Sequence, residues 1–223
     1  MRATKSSHPV RERPGTAKER KTFMTAILLE ETNRRALLRQ QLLAARRAMA
    51  QEVWQARNAA LVAALGKWFA AWRGQIPAGV APWIGLYWPI KNEPDVRPLF
   101  ADWPNRALPA AVAPHTPLSF RPWRADGAMT EDCYGIPTPA TAEVVQPDLV
   151  IVPLLGFTRT GFRLGYGGGF YDRTLSLWRS QGWRGTTVGV GFADAEVADF
   201  TPAPHDVPLD VVVTELGVYS GQG

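Results

Sequence analysis

The sequence predicts an α/β protein whose mostly parallel sheet is covered on both faces. Two observations carry this. Short, largely apolar runs at 148–153, 187–192 and 211–215 have the composition of strands buried on both sides. Segments of helical periodicity alternate with them, as parallel neighbours require. With 223 residues the chain can bury a sizeable core without staples. Cys133 is the single cysteine, which excludes an internal disulfide framework and a four-cysteine zinc site and fits a reducing compartment.

Residues 1–23 hold seven Lys/Arg against Glu12 and Glu19 and almost no apolar side chains. They are expected to form a disordered basic extension, with Met24 an alternative start. Residues 24–223 are expected to form one domain. The whole net charge of +5 lies in the extension, so the body is neutral and no nucleic-acid partner is expected. No run approaches the roughly 18 apolar residues of a membrane span. The richest, 59–72, is broken by Gly66 and Lys67. A cytoplasmic protein is expected.

Helices are expected at 30–50, with Leu37, Leu38, Leu42 and Ala45 as the apolar stripe, and at 52–72, where Leu61, Leu65, Trp68 and Trp72 recur at helical spacing. The tryptophans read as core. Gly74 and Pro77 stop the second helix. A buried strand is expected at 82–89, a helical piece at 95–102, a strand at 107–112, a hairpin-like stretch at 118–123, and the strongest strand at 148–153. A helix at 170–179 follows the glycine-rich segment.

That segment, Gly161-Phe-Arg-Leu-Gly-Tyr-Gly-Gly-Gly-Phe-Tyr-Asp-Arg173, has five glycines in nine positions and opens directly into a helix. Glycine lets the backbone approach a ligand, and a helix N-terminus offers free N–H groups and about half a positive charge. Together they suit phosphate, with Arg163 as a bidentate partner. The alternative is a flexible surface loop. The string is neither a P-loop nor a dinucleotide fingerprint, since Gly-Lys-Ser/Thr is absent and Phe170 stands where a third glycine belongs.

Asp172 beside this segment reads either as a helix-end charge or as a Mg²⁺ ligand, because Mg²⁺ needs only one or two carboxylates. Asp206 is the natural second carboxylate, and His205 a surface neighbour. Glu93, just past the 82–89 strand, is a candidate substrate acceptor by position. Read on its neighbours alone it is a solvated turn residue. His8, His115 and His205 are too dispersed for a transition-metal site, and no Gly-x-Ser-x-Gly elbow occurs.

The stretch PDLVIVPLLGFTRTGFRLGYGGGFYDRTL resembles the signature of the 5-formyltetrahydrofolate cyclo-ligase family, also called 5,10-methenyltetrahydrofolate synthetases. RRALLRQQLLAARRAM, YWPIKNEPDVRPL and PHDVPLDVVVTE are similar to further family blocks, in the family's order. The resemblance implies a three-layer α/β/α, Rossmann-like fold with N-terminal helices. It implies ATP- and Mg²⁺-dependent closure of 5-formyltetrahydrofolate to 5,10-methenyltetrahydrofolate; a monomer is expected. It further implies ATP binding by Arg35, Arg39, Arg163, Leu164, Gly165, Tyr166, Gly167, Gly168, Gly169, Phe170 and Tyr171. Glu93, with Tyr166, Gly168 and Phe170, would hold the folate. Asp172 and Asp206 would hold Mg²⁺, and Arg163 and Tyr171 would act on the reacting groups. Arg35, Thr138, Thr158 and Phe170 differ from the family's commoner lysine, glutamate, aspartate and tyrosine. A non-catalytic folate- or nucleotide-binding relative is the rival reading. A sugar-phosphate isomerase of related topology would need a general base near the loop, and none stands out.

Overall fold

The computed structural model describes residues 17–198 and 201–221. Helix α1 (Ala17–Arg47) begins inside the expected basic extension rather than near residue 30, so residue 23 marks no break in secondary structure. The reason is local: after Gly15 no proline or glycine interrupts the helix formers up to Arg47. Residues 1–16 lie outside the described part. Helix α2 (Gln51–Arg73) follows, and Gly74 donates to carbonyls of its last turn.

Eleven strands are described, seven of them in one sheet. In chain order they are β1 (Ile84–Gly85), β2 (Arg106–Ala110), β3 (Ser119–Pro122), β4 (Met129–Glu131), β5 (Pro137–Pro139), β6 (Leu149–Pro153), β7 (Gly156–Phe157), β8 (Arg163–Leu164), β9 (Thr186–Val190), β10 (Val211–Val213) and β11 (Val218–Ser220). Helix α3 (Phe170–Ser180) lies between β8 and β9. The main sheet runs β11-β10-β9-β6-β1-β2-β3. Its five inner strands are parallel, and β3 and β11 close the two edges antiparallel.

Both faces are dry. Along β6, Leu149 and Ile151 enter one core, shared with Leu61 and Leu65 of α2, while Val150 and Val152 enter the other, shared with Leu175 and Trp178 of α3. This alternation fixes three layers, helix on sheet on helix. Trp68 and Trp72 pack against the first core, as the spacing predicts.

Several elements are shorter than their sequence suggests. Within the 82–89 stretch the strand is Ile84–Gly85, extended by backbone hydrogen bonds at Trp83 and Leu86, and Pro82 and Pro89 lack the N–H that a longer ladder needs. The piece expected at 95–102 is one 3₁₀ turn at Arg97–Phe100. The 118–123 stretch contributes β3, which pairs antiparallel with β2. On α1, Leu37 is exposed and only Leu42 of the expected stripe packs into a core. No described helix is long and apolar enough to cross a membrane.

The order of the parallel strands puts a topological switch between β1 and β6. Their chain connections leave in opposite directions there, opening a crevice beyond the strands' carboxyl ends. The segment after β1 carries Glu93, and the segments after β6 carry the glycines.

Candidate active site at the β1–β6 switch

Glu93 is buried, 2% exposed, which corrects the solvated-turn reading. Lys91 and Asn92 take the left-handed conformation, at φ 51° and 58°, and turn the chain back on itself. The turn closes reciprocally: Glu93 N–H donates to the Ile90 carbonyl, and Ile90 N–H donates to Glu93 Oε2, both at 2.9 Å. The Trp54 indole of α2 donates to the Asn92 carbonyl at 3.1 Å. Glu93 Oε1 accepts from the Tyr166 hydroxyl at 3.0 Å. Burial raises the Glu93 pKa, against the opposing effects of the Ile90 N–H, Arg46, Tyr166 and Lys91.

The glycine-rich segment is more ordered than a flexible loop. Arg163 and Leu164 form β8, paired with β7 in a tight hairpin. Thr158 serves its turn, its hydroxyl accepting the Phe162 N–H at 3.2 Å. Gly167 and Gly169 sit at φ 97° and 63°, and Gly169 caps α3 in a conformation that L side chains rarely adopt. No side chain caps that helix, so its first turn faces the crevice with backbone donors. Arg173 donates to the Gly168 carbonyl and covers the Phe170 ring at 5.2 Å, while Tyr134 meets the ring edge-on. An open cleft of about 740 Å³ runs past Gly167, Gly168, Gly169, Asp172 and Arg173, with His115 and His205 beside it.

α1 brings arginines to the same place. Arg39 Nε donates to the Gly165 carbonyl at 2.9 Å, and a Cβ on Gly167 would stand 3.7 Å from its guanidinium carbon. Arg35 pairs with Asp206 and donates to the Thr201 carbonyl at 3.0 Å. Burial and the neighbouring Arg35 charge lower the Arg39 pKa. Arg163, 8% exposed, pairs through Nη2 with Asp172 Oδ2 at 2.8 Å, and Asp172 Oδ1 accepts the Val207 N–H at 3.1 Å. The two carboxylates therefore flank one short stretch of chain, each matched to an arginine. Tyr171 lies 5.7 Å below Arg163, and burial pushes its phenol pKa well up, so it stays protonated at neutral pH.

Of the residues expected at the site, Gly167, Gly168, Gly169 and Asp172 line the open cleft, while Glu93 meets Tyr166, Arg39 meets Gly165, Arg35 meets Asp206, and Arg163 meets Asp172 and Tyr171. One feature escaped the sequence reading. Arg46 of α1, 5% exposed, donates to the Leu154 carbonyl and to the Tyr166 hydroxyl, the latter at 3.2 Å. Thr138, where the family commonly has glutamate, is buried with an unpartnered hydroxyl. His205 is on the surface, as expected.

The model of the 5-formyltetrahydrofolate cyclo-ligase family matches residues 31–215. The chain belongs to this family. A 5-formyltetrahydrofolate cyclo-ligase of Mycoplasma pneumoniae is 32% identical over 133 residues, 59% of this chain and 72% of the relative. One from Escherichia coli K12 is 43% identical over 74 residues, and this match spans only 38% of that relative's length. The NMR structure of Aquifex aeolicus 5,10-methenyltetrahydrofolate synthetase superposes with a TM-score of 0.69 at 26% identity, covering 85% of this chain and 93% of that one. The cyclo-ligase match thus takes in the Glu93 turn, the glycine segment and both aspartates, and leaves out the first 30 residues.

Proposed function

We propose that this chain closes 5-formyltetrahydrofolate to 5,10-methenyltetrahydrofolate, with ATP converted to ADP and phosphate. The observation that carries the reading is the meeting of a buried carboxylate, Glu93, with a glycine-built helix N-terminus at one crevice, joined by Tyr166. An anionic hydrogen-bond acceptor for a reduced pterin and a phosphate cradle are the two recognition elements that the reaction needs.

The N-formyl group is an amide, so its carbon is a weak electrophile and its oxygen a poor leaving group. In the proposed reaction that oxygen takes the γ-phosphoryl group, ADP departs, and an N5 iminium phosphate results. N10 then attacks the formyl carbon and loses its proton, and phosphate leaves with the former formyl oxygen. The chain's work is positioning and charge neutralisation. Backbone N–H groups of 167–171 and the guanidiniums of Arg35, Arg39 and Arg163 would hold the phosphates. Glu93 would accept N–H groups of the pterin. Tyr171, kept protonated by burial, is suited to donate a hydrogen bond and unsuited to act as a base.

Magnesium fits the chemistry of Asp172 and Asp206: hard carboxylate oxygens beside the cradle, with Asp172 accepting the N–H of Val207, the residue that follows Asp206. When bound it would shield the phosphate charge. Their arginine partners are the same groups assigned here to phosphate, so the pairs would exchange partners as nucleotide arrives.

The test is absorbance of the methenyl chromophore during incubation with 5-formyltetrahydrofolate, ATP and Mg²⁺. An ATP-dependent rise is expected. No rise, in protein that binds either substrate by calorimetry, would replace this reading with that of a non-catalytic relative.

A further inference from the structure

Arg46 belongs to neither the glycine segment nor the arginine pair of α1 that faces it. Its guanidinium is almost fully buried, yet both its hydrogen-bond acceptors are neutral: the Leu154 carbonyl at the carboxyl end of β6 and the Tyr166 hydroxyl. A guanidinium taken out of water needs an anion. The hydrogen-bond chain supplies one at its next link, because the Tyr166 hydroxyl that accepts from Arg46 donates to Glu93 Oε1. Arg46, Tyr166 and Glu93 therefore form a buried ion pair with a phenol between the charges.

We infer that Arg46 is a positioning residue for Glu93, holding the carboxylate ionised and tied to the glycine segment through Tyr166. The inference rests on the reading of Glu93 as the pterin acceptor. The charged and titratable groups facing Glu93 are Arg46 from α1, Tyr166 from the glycine segment, Tyr171 from α3, and Tyr87 and Lys91 from the segment around the turn. Burial keeps the Tyr87 and Tyr171 phenols protonated, and desolvation of its hydroxyl together with the Glu93 charge does the same for Tyr166, which is 38% exposed overall. Lys91 is exposed and stacks over the Tyr166 ring at 4.5 Å. Arg46 is thus the buried cation that offsets what burial does to Glu93. Without it the carboxyl holds its proton to higher pH, and a protonated carboxyl brings a donor to where the pterin N–H groups need acceptors.

The experiment is calorimetric titration of 5-formyltetrahydrofolate, without ATP, into wild-type protein and the Arg46→Gln, Arg46→Lys, Tyr166→Phe and Glu93→Gln variants between about pH 5.5 and 8.5. For Arg46→Gln we expect binding weakened roughly tenfold at the acid end, the size of a one-unit pKa shift, and recovering toward the alkaline end. Arg46→Lys should recover most of the loss. Tyr166→Phe, which removes the phenol oxygen and keeps the ring, should shift the profile the same way and serves if Arg46→Gln fails to fold. Glu93→Gln should bind weakly with no acid limb. If Glu93→Gln weakens binding while Arg46→Gln and Tyr166→Phe leave the acid limb in place, the inference about Arg46 is wrong. A loss for Arg46→Gln that is equal at every pH also overturns it, leaving only a packing role. If Glu93→Gln binds like wild type, the reading of Glu93 itself is at fault. Turnover is not needed for any of these outcomes.

Discussion

Replacing Asp172 by asparagine isolates the Arg163–Asp172 pair. The two side chains are 6% and 16% exposed and meet at 2.8 Å. Removing one partner of such a pair strands the other charge in a poorly solvated place, at a typical cost of about 3–5 kcal/mol. Asparagine retains an acceptor for the Val207 N–H, and Asp172 keeps some contact with solvent, so about 3 kcal/mol is expected. For a protein of this size that lowers the thermal midpoint by roughly 6–12 °C, readable by far-UV circular dichroism. Adding Arg163→Met removes the stranded guanidinium, and the double variant should regain half or more of the loss. A drop under about 2 °C for the single variant would refute the reasoning, as would losses that simply add in the double variant.

Glu93→Gln tests linkage independently of ligand. Burial raises the Glu93 pKa, so the folded state binds that proton more tightly than the unfolded chain, and the group's contribution to stability is full below the ordinary glutamate range and declines as pH rises through the folded value. The difference between wild-type and Glu93→Gln unfolding free energies should therefore slope downward with pH from about 4.5, and a flat or rising difference in urea unfolding would contradict it. Leu65→Ala, at a fully buried position of α2 in the first core, should cost about 2–5 kcal/mol in the same assay. At Gly161, φ is 90° and a Cβ would collide with the Leu209 carbonyl, whose own N–H donates to Gly161 at 2.9 Å. Gly161→Ala should lose at least about 2 kcal/mol, and an unchanged urea midpoint would show that the β8 hairpin can shift freely.

What the sequence revealed depended on how local the determining force was. β6, β9 and β10 were legible because burial on both faces demands apolar residues at consecutive positions. α3 was legible because glycines end where its periodicity begins. The edge and hairpin strands β4, β5, β7, β8 and β11 are two or three residues long, and pairing partners rather than composition define them. Glu93 sits in Lys-Asn-Glu-Pro, which is polar on any scale. Its burial comes from α1 and the glycine segment closing over it, contacts between residues 46, 93 and 166 that no window contains. Arg46 was hidden by resemblance to its neighbours. α1 also carries Arg34 and Arg47, both exposed, and only packing tells which arginines turn inward.

The inward face of α1 has a metric consequence. Arg35, Arg39, Leu42 and Arg46 are spaced by four, three and four residues, which keeps them within about 60° of one another around the helix axis and spreads them over roughly 16 Å. They touch Asp206, the Gly165 carbonyl, the space beside Gly156, and Tyr166 in turn. α1 therefore works as a ruler laid along the crevice, with its marks at fixed phase. Exchanging a side chain erases one mark. Inserting or deleting a single residue between Arg39 and Arg46 rotates everything on one side of the change by about 100°, so Arg46 and Arg39 can no longer face the site together. In this stretch, length constrains the protein more tightly than composition does.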